Sequence, residues 1–327
     1  MNKNENKTKE DIKKSKDTNI NKSNAKENSQ NNEEQELLDI KNDYVFKRTF
    51  GYKGDEEVTK VLLRDILGMK VNEIDLDVNP ITEKELMDDK LGIMDIASVV
   101  NDNVQVDIEM QVVNKNNIEK RIMYYWNAYY QKSISKGDDY GELKRTIIIL
   151  IADFEIKGIE QAKKYFTEWE IREKNYSELI LTDVLKICII ELPKYIKYKV
   201  NNPNLNLWTE FLENPEVINM SEKDIEKEKD ESLKTTKKAI KQAKDTLKQI
   251  SKDKHEQELA RLRKKYIMDQ NAIQEYGYCQ GVEDGKYESM KDTAKKMLAK
   301  KMPIDVIIEI TGLSKEEIEN IKKGIKN

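Results

Sequence analysis

Apolar residues enter this chain late and then in two distinct periods. Residues 1–36 are mostly Asn, Lys, Glu and Ser, with little apolar besides Ile12 and Ile20. Such a stretch cannot bury enough surface to offset its chain entropy and reads as a disordered polar tail. From Leu37 the pattern changes. Phe46 and Phe50 stand at helical spacing in Asp43–Phe50, and Val58, Val61, Leu62 and Ile66 continue the period, predicting one or two helices over a sheet. Ile74 to Val78 alternates as a strand does and stops at Asn79-Pro80. Two further strand-like runs, Gly92 to Val100 and Val104 to Val113, are separated by Asn101-Asp102-Asn103, residue types that tolerate left-handed turn geometry.

An aromatic-rich helix is expected from about Asn117 to Ser135, ended by Gly137. Arg145 to Ala152 carries Ile147-Ile148-Ile149-Leu150-Ile151, the unbroken apolar run of a strand buried on both faces. Helix followed by buried strand suggests a crossover connection. Ile187 to Leu192, stopped by Pro193, adds a strand to the same mixed sheet, and 201–219 reads as loop and short helix. The expectation is an α/β main domain over 37–220. A charged helical arm follows over 221–290, rich in Lys, Glu, Asp and Gln and read as solvent-exposed. A small helix-turn-helix-like appendage occupies 291–327, where Ser314 and Glu317 have the spacing of a capping box.

Composition narrows the chemistry. Hydrophobic residues make up 38% of the 327 and charged residues 37%, against about 45–50% and about 25% in an average domain, so part of the chain is not packed. No run approaches the roughly 20 apolar residues that cross a bilayer, and the N-terminus lacks a signal-like stretch; no membrane association and a cytoplasmic location are expected. Cys188 and Cys279 are the two cysteines and His255 the single histidine. Neither a structural zinc site nor a disulfide framework can be assembled, and His255, the one base a serine–histidine triad could use, lies in a Lys/Glu-rich stretch with no nearby nucleophile pattern and reads as a solvated surface residue. A net charge of −4 argues against a wholly basic nucleic-acid binder but leaves room for a local basic surface. Lys47, Arg48, Lys60 and Arg64 are candidates for such a rim, or else a solvated face.

The hairpin carries the candidate chemistry. With a three-residue loop at 101–103, Val100 faces Val104 and each opposed pair of residue numbers sums to 204, which sets Asp95 opposite Glu109. Alternation then aims Asp107, Glu109 and Gln111 to the same side. Ile96, Val104, Val106, Ile108 and Met110 form the packed reverse face, and a one-residue slip would bury the acids instead. Opposed like charges repel unless a cation, a proton or an arginine lies between them. An oxygen-only ligand set suits Mg²⁺ or Mn²⁺. The competing reading is the wet face of an ordinary antiparallel hairpin.

Several segments together resemble a known family. Asn42-Asp43-Tyr44-Val45-Phe46-Lys47-Arg48-Thr49-Phe50, Asp95 in I-M-D-I-A, and Glu109-Met110-Gln111 in V-D-I-E-M-Q look like the PD-(D/E)XK nuclease family transposases, the Rpn recombination-promoting nucleases. The match extends through Arg121 to Tyr130, the buried strand and Ile190-Glu191-Leu192-Pro193-Lys194. The resemblance implies a restriction-endonuclease-like core, a mixed central sheet flanked by helices, with a C-terminal helical extension. It implies a DNA endonuclease holding Mg²⁺, or Mn²⁺, through Asp95, Glu109 and the backbone carbonyl of Met110. Gln111 stands where the named motif has lysine, and an amide can orient a water without offsetting negative charge.

Asp43 either approaches the metal from the first helix or caps that helix. Arg121 either contacts a phosphate or the carboxylates, or is an exposed arginine at a helix start. Tyr125 and Tyr129 are read as a core stripe facing the sheet rather than as a base-stacking surface. The expected function is metal-dependent hydrolysis of DNA phosphodiesters linked to recombination or mobile elements, with homo-oligomerisation through the C-terminal helices. The alternatives are a catalytically weak or inactive nuclease fold that binds DNA or protein, and a chain whose helical arm and appendage are the functional parts.

Overall fold

The computed structural model describes residues 36–52, 54, 56–77, 96–114 and 117–324. The polar tail expected over 1–36 lies, but for Glu36, outside the described residues. Among the described residues six strands form one sheet in the order β1-β2-β3-β4-β6-β5: β1 (Ile74–Asp77), β2 (Ile96–Val100), β3 (Val104–Gln111), β4 (Arg145–Ala152), β5 (Phe166–Arg172) and β6 (Ile180–Glu191). The pairs β1–β2, β2–β3 and β5–β6 are antiparallel, whereas β3, β4 and β6 run parallel. The sheet is therefore mixed, as expected from a hairpin followed by a crossover.

The turn between β2 and β3 forms for a local reason. Asn101 and Asp102 take φ of 48° and 65°, a left-handed conformation that short polar side chains tolerate. The Asn101 side chain also accepts from the Asn72 N–H at 2.9 Å and donates to the Lys70 carbonyl at 2.9 Å, tying the turn to the approach of β1. Val100 pairs with Val104, Ala97 with Asp107 and Ile96 with Ile108, the register read from the loop length.

Among the described residues two helices, α1 (Asp43–Phe50) and α2 (Glu56–Leu67), precede the sheet. The crossover helix α3 (Ile118–Gln131) joins β3 to β4. Alternate residues of β4 feed two cores: Ile147, Ile149 and Ile151 join the larger, and Ile148, Leu150 and Ala152 the smaller. α3 covers the smaller one with Ile118 and Ile122. Tyr129 is buried and its hydroxyl donates to the Ser98 carbonyl at 2.8 Å. Tyr125, expected in the same stripe, is only half-buried; Trp126 takes the inward place and stacks on Tyr130.

Beyond the sheet lie α4 (Pro203–Glu213), α5 (Glu222–Glu226), α6 (Glu231–Lys252), α7 (Lys254–Ala299), α8 (Ile304–Thr311) and α9 (Lys315–Gly324). The expectation of a solvent-exposed arm from 221 does not describe α6. Ala239, Ile240, Ala243, Leu247 and Ile250 enter the larger core beside α1, α2 and α4, and Leu259 and Ala260 of α7 follow them. The apolar positions every three or four residues, read as part of an exposed arm because charge surrounds them, form a narrow stripe that packs inward. Exposure begins farther on: residues 272–290 of α7 are exposed throughout. At its end Ala294 and Met297 pack with Ile307, Leu313 and Ile318 in a separate small core. The capping box is formed, with Ser314 Oγ accepting from the Glu317 N–H and the Glu317 carboxylate accepting from the Ser314 N–H at 2.8 Å.

Asp65 binds α2, α4 and α6 together. Its buried carboxylate accepts from the Trp208 indole N–H at 2.9 Å, the Thr236 hydroxyl at 2.7 Å and Arg64 at 2.6 Å. Asp65→Ala should lower stability by about 3 kcal/mol, because an indole N–H and a hydroxyl lose a buried acceptor at roughly 1–3 kcal/mol each. Denaturant unfolding measures this, and a change under about 1 kcal/mol would contradict it.

Candidate active site

Glu109 and Gln111 sit at the C-terminal end of β3, the strand flanked by β2 and β4. Because the pleat alternates, they share a side with Asp107. That side is not the wet face of a hairpin. Asp107 is 0% and Glu109 4% exposed, since the neighbouring strand and α3 cover what a lone hairpin would leave in water. The Gln111 amide Nε2 donates to Glu109 Oε2 at 3.3 Å, and its backbone carbonyl accepts from the Asp153 N–H at 2.9 Å. Asp95 lies outside the described residues.

Asp43 reaches the same end of β3 from α1. The capping alternative falls to its neighbour: Asn42 is the N-cap, its side chain accepting from the N–H groups of Tyr44 and Val45. The Asp43 carboxylate accepts from the Tyr44 N–H at 2.8 Å and takes a fork from Arg263 of α7, with Nε at 3.0 and 2.8 Å and Nη2 at 2.5 Å from its oxygens. Asp43, Met110 and Gln111 line one cleft, whose opposite wall is Arg263, Tyr266 and Gln270 of α7. Arg121 is not among its lining residues. Its guanidinium donates to the Tyr125 hydroxyl at 3.0 Å and lies 5.6 Å from that ring, on the helix over the Glu109 side of the sheet.

The donors lining the cleft are oxygens, the Asp43 carboxylate, the Gln111 amide oxygen and the Met110 carbonyl; Glu109 is not among the lining residues and is linked to them through the Gln111 amide. This set fits a hard dication such as Mg²⁺ and not a soft one. Among the described residues no group of three or more His, Cys, Asp or Glu side chains is arranged to hold a metal.

Sequence reasoning missed the surroundings. Glu256 of α7 accepts three bonds from Arg48, the shortest 2.8 Å, and one from the Tyr44 hydroxyl at 2.6 Å. Burial works against the Glu256 charge, but Arg48 and Tyr44 outweigh it and hold this carboxyl below its usual range. The basic rim is not formed: Lys47 is buried, Arg48 binds Glu256, Lys60 pairs with Glu57 and Arg64 with Asp65. Beside the cleft, Lys41 pairs with Asp153 at 3.1 Å. Burial pushes the nearby Glu213 carboxyl up, with Lys41 opposing. At the end of β6, buried Glu191 pairs with buried Lys194 at 2.7 Å and accepts from the Ile156 N–H at 2.7 Å. Glu191 and Lys194 lie in a segment that carried the family resemblance. Arg263 had no signal, being 220 residues from the carboxylate it binds.

No helix among the described residues is long and apolar enough to cross a membrane. No curated protein and no solved structure shows a significant match to the chain. Two family models do match, in succession. The PD-(D/E)XK nuclease family transposase model covers 40–277, from the residue before Lys41 to beyond the cleft wall on α7. The Rpn/YhgA-like nuclease family C-terminal HTH domain covers 292–323, the small core at the end of α7. By both the span and the order of these matches, the chain belongs to the PD-(D/E)XK nuclease family transposases and ends in the HTH domain of Rpn/YhgA-like nucleases.

Proposed function

We propose that this protein is a metal-dependent DNA endonuclease that hydrolyses phosphodiester bonds, acting in the cytoplasm in recombination or the spread of mobile elements. One observation carries the reading: the Asp43 carboxylate of α1 and the Gln111 amide of β3 line one cleft at the end of a central strand, with Glu109 hydrogen-bonded to that amide, in a chain of a nuclease family. Asp95, the residue before the described start of β2, and Glu109 would hold Mg²⁺ or Mn²⁺, with the Met110 carbonyl as a further ligand. A dication there supplies polarisation of a phosphate oxygen and a water of lowered pKa. Gln111 orients the water or the phosphate through its amide. Asp43 faces the cleft as an additional acid, and Arg121 steadies the covering helix from the Glu109 side.

Gln111 in place of lysine favours a second reading, a weakly active or inactive nuclease fold that binds DNA or protein. The exposed run 272–290 of α7, with Ile273, Tyr276 and Met290, supports self-association through the C-terminal helices. Plasmid nicking by the purified protein with Mg²⁺, Mn²⁺, Ca²⁺ or chelator, beside Asp95→Ala and Glu109→Ala, tests the activity. Nicking that needs metal and disappears in both variants is expected. Absence of nicking, or nicking retained in both variants, would leave the binding reading in its place.

A further inference from the structure

The cleft carries the Asp43 carboxylate, and a phosphodiester would bring further negative charge. Position 111, where the family motif places a cation, holds a neutral amide. Among the described residues that line the cleft, Arg263 is the one cation. The geometry points to Arg263 as the phosphate-binding cation of this site, supplied by α7 from the wall opposite β3. The inference rests on the nuclease reading of the cleft and names a residue for substrate binding that the motif does not contain.

Three features support it. The guanidinium is held in place, forked onto Asp43 and 5.3 Å from the Tyr266 ring. Its planar donors suit the oxygens of a phosphate as well as those of a carboxylate, and its charge persists at any physiological pH. The joint between α1 and α7 has a separate fastening two helical turns earlier, where Glu256 binds Arg48 and Tyr44. Arg263 differs from Arg48 in facing the cleft. The Asp43 carboxylate keeps Arg263 aimed there and is the group a phosphate would share or replace.

Binding of the full-length protein to a short DNA duplex in chelator, titrated with salt, gives a readout independent of cleavage. Arg263→Gln should flatten the plot of log affinity against log salt by about 0.9, the value of one phosphate contact. Arg263→Lys, which keeps the charge, should retain the slope. In metal, Arg263→Gln should nick plasmid about 100-fold more slowly, the scale of one lost electrostatic donor. Glu256→Gln is the control: it loosens the α1–α7 joint, seen as a lowered Tm, and should leave the slope unchanged. A wild-type slope and rate in Arg263→Gln would overturn the inference, as would an equal slope change in Glu256→Gln. If the wild type does not nick but Arg263→Gln still flattens the slope, the endonuclease reading fails and the phosphate contact stands. If nicking depends on Glu109 while the slope ignores Arg263, the inference alone fails. A wild type that binds no duplex at all would overturn both.

Discussion

Glu109→Gln should reduce metal-dependent nicking by about a hundredfold to a thousandfold while the folded protein melts at the same temperature or higher. The substitution keeps the shape of the side chain and removes one charge, so it separates chemistry from packing. Loss of rate follows from the proposed role: a ligand carboxylate lends its charge to the ion that stabilises the transition state, and preorganised charge of this kind is worth about that factor. The stability prediction has a separate basis. Glu109 and Asp107 are both buried on one side of β3, two residues apart. Burying charge is costly even where it is partnered, and a neutral amide at 109 lowers that cost. Nicking assays and thermal melts of the same preparation measure both. Wild-type nicking would remove Glu109 from the site, and a rate loss matched by a fall in Tm would make its role structural.

How far the chain could be read depended on whether the information was local. The β2–β3 register was legible because Asn101 and Asp102 accept left-handed φ and the loop length then sets every pair down to Ile96 and Ile108. The apolar side of β3 was legible from alternation. Its acidic side was misjudged as open, because period two normally marks a half-wet strand, whereas β3 lies inside the sheet with helices over both faces and Asp107 fully buried. The Asp43 alternatives could not be separated without knowing that Asn42 takes the cap and that Arg263 waits across the cleft. In the unassigned stretch before Ile187, Thr167-Glu168-Trp169-Glu170-Ile171-Arg172 alternates like a strand; the charges on this edge masked β5 and the first half of β6.

The same distinction leads to the largest structural effect expected here. A chain ending at Met220 should not fold, although its sequence pattern suggests a complete domain. Ending there removes Ile240, Leu247, Ile250 and Leu259 with the smaller Ala239, Ala243 and Ala260 from the main core. At roughly 1.5–3 kcal/mol for each buried large aliphatic side chain, the four large residues alone contribute about 6–12 kcal/mol. That is comparable with the roughly 5–15 kcal/mol separating a folded domain from its unfolded chain. Polar connections go as well. Asp65 loses Thr236, the Ile218 carbonyl loses its 2.6 Å bond from Lys244, and α1 loses both Glu256 and Arg263. A chain ending at Met290 loses none of these and gives up only the small core of Ala294, Met297, Ile307, Leu313 and Ile318. Circular dichroism and thermal melting of the two truncated chains check the contrast: the longer should melt cooperatively near the full-length protein, and the shorter should show no cooperative transition. A cooperative melt from the chain ending at Met220 would mean that α6 rests on a core already sufficient without it.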